Sequence, residues 1–260
     1  PRNQSSAASD VYKRQIFTRG TTEAINLCAR AFLRPQLQAG DEVLISAMEH
    51  HANLVPWQIL CQQQGADLKI IPIDDDGKII LESFQELICS RTRFLALSHI
   101  SNSLGILNPV KEMIQIAQQH NIPVLLDAAQ SVPHIPVKVE DLGCDFLAFS
   151  GHKLYGPTGI GVLYARKARH KDMQPYQFGG DMIRMVSFEN STFNNPPHKF
   201  EAGTPNIAGA VGLGAAIQYL NKIGMTAIEE HISSLTEYAR EQLEQIRTLR
   251  VLGKAANSSG

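Results

Sequence analysis

The fold of this chain is decided by the stretch DFLAFSGHKLYGPTGIG, residues 145–161. Its first five residues are mostly apolar and predict a strand. A turn rich in glycine and proline follows, and a second apolar run at residues 160–164 predicts another strand. The sequence therefore places Ser150, His152 and Lys153 together where the first strand ends.

Lys153 has two interpretations. A lysine at a strand end, beside a serine, a histidine and a glycine turn, is placed to form an imine with a carbonyl cofactor. The alternative is a surface lysine in a hairpin. The residues upstream of Lys153 favour the cofactor, because several other strands also end in polar side chains.

Composition indicates a packed globular protein. With 260 residues, the chain can form one large domain, or one large domain and part of another. Hydrophobic residues make up 43% and charged residues 19%, which favours a core over disorder. Lys and Arg number 24 and Asp and Glu 25, so no charge excess points to nucleic acid or an anionic membrane as a partner. No apolar run approaches the roughly 18 residues needed to span a bilayer.

Cysteine usage favours a reducing compartment. The four cysteines are scattered without a CxxC pair, so neither a disulfide framework nor a zinc site is expected, and we predict a cytoplasmic protein. We interpret all four as core or structural thiols. They are Cys28, Cys61, Cys89 and Cys144.

The ends of the chain differ from its middle, and the chain reads as a fragment. Residues 1–15 are polar and aperiodic, and we expect them to be non-native or disordered. Residues 16–222 are expected to form a large cofactor-binding domain that is incomplete at its N-terminus. Residues 223–260 are expected to hold a connector helix and the start of a truncated small domain, with a strand beginning at 249–252.

Strands and helices alternate along the first half of the chain. This alternation predicts an α/β fold with a parallel sheet covered on both faces by helices. Two long helices are then predicted, from about 207 to 223 and from about 227 to 246. The first five strands are predicted at residues 16–18, 42–46, 68–72, 93–98 and 122–126.

Two hydroxyls mark the first turn from strand to helix. Gly20 lets the backbone turn tightly, and Thr21 or Thr22 is expected to cap the helix that follows. Free N–H groups at a helix start, together with two hydroxyls, form a site for an anion, most naturally a phosphate. A helix cap with no ligand is the alternative.

Polar side chains also follow three later strands. The flat ring of His50 can stack on an aromatic cofactor; a metal site with His51 is less expected, since adjacent residues of an extended segment face opposite ways. Asp127 ends a buried strand and needs a cation, such as a protonated pyridine nitrogen, although a helix cap or a metal ligand is also possible. Gln130 can reach the ring-oxygen side of the same ligand. Asn102 can bind a phenolic oxygen or a substrate carboxylate, or only cap a loop.

Six motifs in this order resemble the fold-type I pyridoxal-phosphate enzymes, specifically the class V aminotransferase group. Within that group the chain is most similar to cysteine desulfurases of the SufS type, the branch that includes selenocysteine lyases. The paired histidines and the last motif distinguish this branch from the IscS/NifS branch. The motifs are TRGTTEAINL (18–27), MEHHANLVPW (48–57), SHISNSLG (98–105), DAAQSVPH (127–134), DFLAFSGHKLYGPTGIG (145–161) and FEAGTPN (200–206).

The resemblance implies a mostly parallel seven-stranded sheet sandwiched by helices, with a small C-terminal domain that is largely missing here. It also implies that Lys153 binds pyridoxal 5'-phosphate covalently and later moves the Cα proton of the substrate. His50 would stack on the pyridine ring, Asp127 would pair with the ring nitrogen, and Gln130 would bind the phenolic oxygen. Asn102 would lie on the substrate side.

The same resemblance implies a phosphate site and a dimer. Thr22, with Thr21, Ser150 and His152, would bind the phosphate. Thr204 would reach the phosphate of a partner subunit, so a homodimer with shared sites is expected.

The implied reaction converts L-cysteine to L-alanine and transfers sulfur as a persulfide, through a sulfur-acceptor protein, for iron–sulfur cluster assembly. The resemblance leaves open L-selenocysteine as the substrate, a different class V lyase, epimerase or aminotransferase, and a non-catalytic sulfur-carrier scaffold. The family's nucleophilic cysteine lies in a later loop that this sequence does not reach. The chain as given is therefore expected to bind the cofactor poorly or not at all and not to complete sulfur transfer.

Overall fold

The sheet has seven strands, as predicted, in a computed structural model that describes residues 14–253. The spatial order is β1-β7-β6-β5-β4-β2-β3. All neighbouring pairs from β3 to β6 are parallel, whereas β7 runs antiparallel to both of its neighbours, β6 and β1. The strands are β1 (Gln15–Thr18), β2 (Glu42–Ser46), β3 (Asp67–Ile71), β4 (Thr92–Ser98), β5 (Val124–Asp127), β6 (Phe146–Ser150) and β7 (Gly161–Ala165).

Helices connect the strands and extend beyond the sheet. The first helix continues as a π-helical segment, Cys28–Leu33, and a separate hairpin pairs β8 (Ile183–Val186) with β9 (Ser191–Phe193). The helices are α1 (Thr21–Leu27), α2 (Val55–Gln64), α3 (Leu81–Leu87), α4 (Val110–Gln119), α5 (Val139–Leu142), α6 (Ile207–Ile223) and α7 (Met225–Glu244). Short 3-10 turns cover His51–Asn53, Gly151–Leu154, Lys167–Asp172 and His198–Phe200.

The element predictions agree with this structure except at the two ends. The first strand begins at Gln15, and residues 1–13, which were expected to be non-native or disordered, lie outside the described residues. The predicted strand at residues 249–252 is wrong, since that segment forms no strand. Within residues 14–253, no helix is long and apolar enough to cross a membrane.

The sheet is covered on both faces, and β4 shows why. Phe94 and Ala96 pack into one apolar cluster with α1 and α2, and the alternate residues Leu95 and Leu97 pack into a second cluster with α4. Successive residues of a strand point to opposite faces, so a strand that is apolar throughout needs cover on both sides. Trp57 of α2 packs on the first face with its ring centroid 4.9 Å from that of Phe94.

The parallel strands bring their carboxyl ends to one edge of the sheet. Ser98 at the end of β4 is in register with Asp127 at the end of β5. Ser150 at the end of β6 is in register with Gly161, the first residue of β7, and Gly161 also pairs with Thr18 of β1. A Cβ at Gly161 would lie 2.5 Å from the Gly20 Cα, so only glycine allows the turn between β1 and α1 to approach β7 this closely.

The last two helices differ from the sheet region in burial. α7 has no buried residue, and several of its apolar side chains are exposed, among them Leu235, Tyr238 and Leu243. The predicted long helices are thus present, and α7 leaves an apolar surface uncovered in the described part of the chain.

Candidate active site

A cavity of about 220 Å³ lies at the carboxyl edge of the sheet. Every site residue predicted from the sequence lines it except Thr204, which is exposed in the loop before α6. The lining residues are Thr21, Thr22, His50, Ala52, Ser98, Ile100, Asn102, Asp127, Ala129, Gln130, Ser150, His152 and Lys153. The sheet therefore gathers residues that are spread over more than half of the sequence.

The start of α1 forms one end of the cavity. The Thr21 N–H donates to Ser150 Oγ at 2.7 Å, and the hydroxyls of these two residues are also 2.7 Å apart. The predicted threonine cap is wrong: Gly20 is the cap residue, and no side chain caps the helix. The reason is that the N–H and the hydroxyl of Thr21 both form hydrogen bonds with the Ser150 hydroxyl of β6. The exposed Thr22 still lines the cavity at the amino end of the helix, where an anion is favoured.

Asp127 lies at the centre of the edge. It is the last residue of β5, it is 6% exposed, and its Oδ1 accepts the N–H of Ala129 at 2.9 Å. Burial raises the pKa of its carboxyl group, while Ala129 and the positive charges of Lys153 and His50 oppose that rise. A cation bound in the cavity would therefore stabilise the Asp127 carboxylate.

His50 forms one wall, and its ring is oriented by the backbone. Its Nδ1 accepts the N–H of Ala52 at 3.0 Å, so the neutral ring carries its proton on Nε2. The residue is exposed, and its ring is open to a ligand in the cavity. The neighbouring His51 does not line the cavity. Within the described residues 14–253, no three His, Cys, Asp or Glu side chains are grouped to hold a metal ion.

Lys153 lies on the short 3-10 turn after β6. The turn is tightly packed, because a Cβ at Gly151 would lie 2.8 Å from Ile160 Cγ2. Lys153 lines the cavity together with Ser150 and His152, as the motif at residues 145–161 predicts. Its amine and the Asp127 carboxylate therefore face the same small volume.

None of the four cysteines lines the cavity. Cys28, Cys61 and Cys144 are buried, and burial raises the pKa of Cys61 to about 11 and that of Cys144 to about 12. Cys89 is exposed and so is not a core thiol; its Sγ donates to Glu42 at 3.3 Å, at the start of β2. The start of β2 lies at the sheet edge opposite the cavity, so Cys89 is far from Lys153.

One residue beside the cavity is not predicted from the sequence. Glu49 precedes His50 directly and accepts four hydrogen bonds from side chains and backbone around it. The sequence signal for Glu49 is its spacing from two polar residues, Ser46 three positions before it and Asn53 four positions after it. Asn53 lies in the motif that contains the paired histidines.

Comparison with known families agrees with this geometry. The sequence model of the family described as aminotransferase class-V matches residues 8–260. The chain belongs to this family. The matched residues include all the residues that line the cavity, so the site lies within the part of the chain that resembles the family.

Similar curated proteins are longer than this chain. It is 50% identical over 238 residues to a probable cysteine desulfurase of Halalkalibacterium halodurans, a match that covers 92% of this chain and 59% of the relative. It is also 50% identical over 240 residues to a cysteine desulfurase of Shigella flexneri, with the same coverage. The chain therefore spans 59% of the length of these curated relatives.

Solved structures share the fold. The cysteine desulfurase CsdA from Escherichia coli superposes with a TM-score of 0.88 at 43% identity, over 90% of this chain and 58% of that one. The cysteine desulfurase of Thermococcus onnurineus NA1 gives 0.87 at 39% identity, over 92% and 60%. The cystine C–S lyase C-DES, at 23% identity and a TM-score of 0.83, shares the fold alone. The predicted fold-type I transferase architecture is thus confirmed.

Proposed function

We propose that this chain is the cofactor-binding part of a pyridoxal-phosphate-dependent cysteine desulfurase, which converts L-cysteine to L-alanine and passes the sulfur on as a persulfide. The observation that carries the proposal is the meeting of Lys153, Asp127 and His50 around one cavity at the sheet edge. The 50% identity to cysteine desulfurases supports the substrate assignment.

The chemistry of the cavity fits pyridoxal phosphate. Thr22, Ser150 and His152 supply donors for a phosphate at the start of α1. Asp127 supplies a buried carboxylate for a pyridinium nitrogen, and Gln130 an amide for the phenolic oxygen. Lys153 supplies the amine that binds the aldehyde carbon.

When bound, pyridoxal phosphate supplies an electron sink for the electron pair left at the substrate Cα when its proton departs. Asp127 holds a proton on the ring nitrogen, because its ionised carboxylate in a buried site needs a cation beside it. Once the substrate amine has replaced it on the aldehyde carbon, the neutral Nζ of Lys153 would take the Cα proton as a general base. His50 restrains the ring by stacking, and Asn102 binds on the substrate side of the cavity.

The sulfur step needs a thiolate close to the substrate. Burial raises the pKa values of Cys28, Cys61 and Cys144, so these thiols stay protonated near neutral pH, and Cys89 lies at the opposite sheet edge. We therefore place the sulfur-accepting thiol outside these cysteines, in the part of the relatives' length that the chain does not span. The chain alone is proposed to bind the cofactor poorly or not at all and not to complete the transfer.

Finer assignments are part of the same proposal. The paired histidines and the FEAGTPN motif favour the SufS type, the branch that includes selenocysteine lyases. Thr204 is exposed and does not line the cavity of its own chain, and we propose that it reaches the phosphate of a partner subunit in a homodimer. Iron–sulfur cluster assembly, a sulfur-acceptor protein and a cytoplasmic location complete the proposal. The division into a large domain at 16–222 and a small domain starting at 223 belongs to it as well.

Borohydride trapping tests the proposal. The full-length protein is loaded with pyridoxal phosphate, reduced and digested, and the pyridoxyl mass is expected on Lys153. Lys153→Ala should lower alanine release from L-cysteine by roughly 1000-fold, since the general base and the attachment point are both lost. The matched control is Lys111→Ala, an exposed lysine on α4. A tag on another lysine would overturn the site assignment, and turnover of a different amino acid alone would overturn the substrate.

A further inference from the structure

Glu49 is a carboxylate behind the cavity, in the short link between β2 and His50. It does not line the cavity. Its Oε1 accepts the Ser46 hydroxyl at 2.5 Å and the Ser98 N–H at 2.9 Å. Its Oε2 accepts the Asn53 side-chain amide and the Ser98 hydroxyl, each at 2.6 Å. Burial raises the pKa of the Glu49 carboxyl group, and these hydrogen bonds oppose the rise.

In this network, two of the groups around Glu49 can act only as hydrogen-bond donors. The Trp57 indole N–H donates to Asn53 Oδ1 at 2.9 Å, which fixes the Asn53 amide so that its Nδ2 points to Glu49. The Ser98 N–H is a donor that cannot be reversed. Each oxygen of Glu49 therefore faces one donor that is fixed as a donor and one hydroxyl that can rotate.

Both walls of the cavity depend on these contacts. Glu49 and Asn53 hold the backbone on either side of His50, whose own ring is held by Ala52. Ser98 lines the cavity and is the register partner of Asp127 across β4 and β5. A single carboxylate thus joins the wall formed by His50 to the sheet edge that carries Asp127.

We propose that Glu49 is a positioning residue, whose carboxylate joins the ends of β2 and β4 to the 3-10 turn that precedes α2 and so fixes His50 and Ser98 for the bound cofactor. Its effect on the cofactor rests on the proposed function. The network itself does not, because all of its members belong to the protein.

Glu49→Gln is the sharpest variant. Glutamine has the same shape but only one acceptor oxygen, and its NH₂ must face either the Ser98 N–H or the Asn53 Nδ2. In both orientations the glutamine NH₂ faces another donor, and a buried donor loses its acceptor. In the orientation that faces Asn53, this clash is relieved only if the Asn53 amide turns over, which breaks its hydrogen bond with the Trp57 indole N–H.

Trp57 reports on the network without any cofactor, because its indole N–H binds Asn53 and it is the single tryptophan of these 260 residues. In the full-length protein the Trp57 emission is the part of the signal that Trp57→Phe removes, and Glu49→Gln should shift this part in the cofactor-free state. With pyridoxal phosphate added, the dissociation constant should rise by roughly tenfold, and the visible circular dichroism of the bound cofactor should weaken. The matched control is Glu82→Gln, an exposed glutamate on α3, which should leave all three readings unchanged.

The outcomes separate this inference from the proposed function. If the wild-type protein binds no pyridoxal phosphate, the proposed function fails, and the Trp57 emission still tests the network. If Glu49→Gln lowers the melting temperature but leaves the cofactor affinity and circular dichroism unchanged, Glu49 is only structural and the inference is overturned. Asn53→Ala and Glu49→Gln should also combine less than additively in cofactor affinity; full additivity contradicts a shared network.

Discussion

Asp127 and Glu49 are carboxylates at the same edge of the sheet, but the protein gives them different numbers of hydrogen bonds. Glu49 accepts four, which fills the roughly four acceptor sites of a carboxylate. From the described residues 14–253, Asp127 accepts one, from Ala129, and its carboxylate borders the cavity. A buried carboxylate with unused acceptor sites is costly unless a cation or donor arrives. The difference separates a group that holds the framework from a group that is kept for a ligand.

Among the changes that test this comparison of the two carboxylates, removing the charge of Asp127 should have the largest effect. Asp127→Asn keeps the side-chain size but cannot hold a proton on the ring nitrogen of pyridoxal phosphate, so alanine release from L-cysteine should fall by roughly 100-fold or more. The measurement is the rate at saturating L-cysteine in the full-length protein. Asp141→Asn, at an exposed position of α5, is the control. A rate close to that of the wild type would mean that Asp127 is satisfied by the protein, as Glu49 is.

A smaller effect is expected at His50, which follows Glu49 in the sequence and lines the same cavity as Asp127. His50→Ala removes a stacking ring and should weaken pyridoxal phosphate binding by roughly tenfold, as measured by cofactor titration. His51→Ala is a closely matched control, because His51 is adjacent but does not line the cavity. His50→Phe should restore most of the affinity. Equal losses in the two alanine variants would show that the 3-10 turn, and not the ring, matters.

The sequence predicted the strands and most of the cavity because these features are local. Residues 122–126 and 145–149 are apolar runs, and the polar residues that end them are visible in the motifs. Two failures, the cap at Thr21 and the missed Glu49, concern contacts between residues that are distant in sequence. Thr21 does not cap its helix because Ser150, 129 residues away, binds it, and Glu49 meets Ser98 from a strand 49 residues away. Such contacts depend on sheet order, which composition and periodicity do not specify.

The smallest expected effect is on stability against pH, and it again separates the two carboxylates. In the cofactor-free protein the pKa of Asp127 is raised above 3.8, so between that value and its folded pKa the folded state binds more protons than the unfolded state. The free energy of unfolding should therefore fall as pH rises through this window. Burial also raises the pKa of Glu49, so Glu49 contributes with the same sign. The Asp127 contribution is therefore measured as the difference between wild type and Asp127→Asn in the free energy of unfolding by urea as the pH rises from 3.8.

Pyridoxal phosphate should divide this pH dependence between the two groups. Its ring cation keeps the Asp127 carboxylate ionised, so adding the cofactor should remove the Asp127 part of the fall. The Glu49 part should remain, because Glu49 does not line the cavity. If the cofactor removed the pH dependence due to Glu49 as well, the protonation of Glu49 would depend on the ligand. The distinction between the two carboxylates would then be wrong.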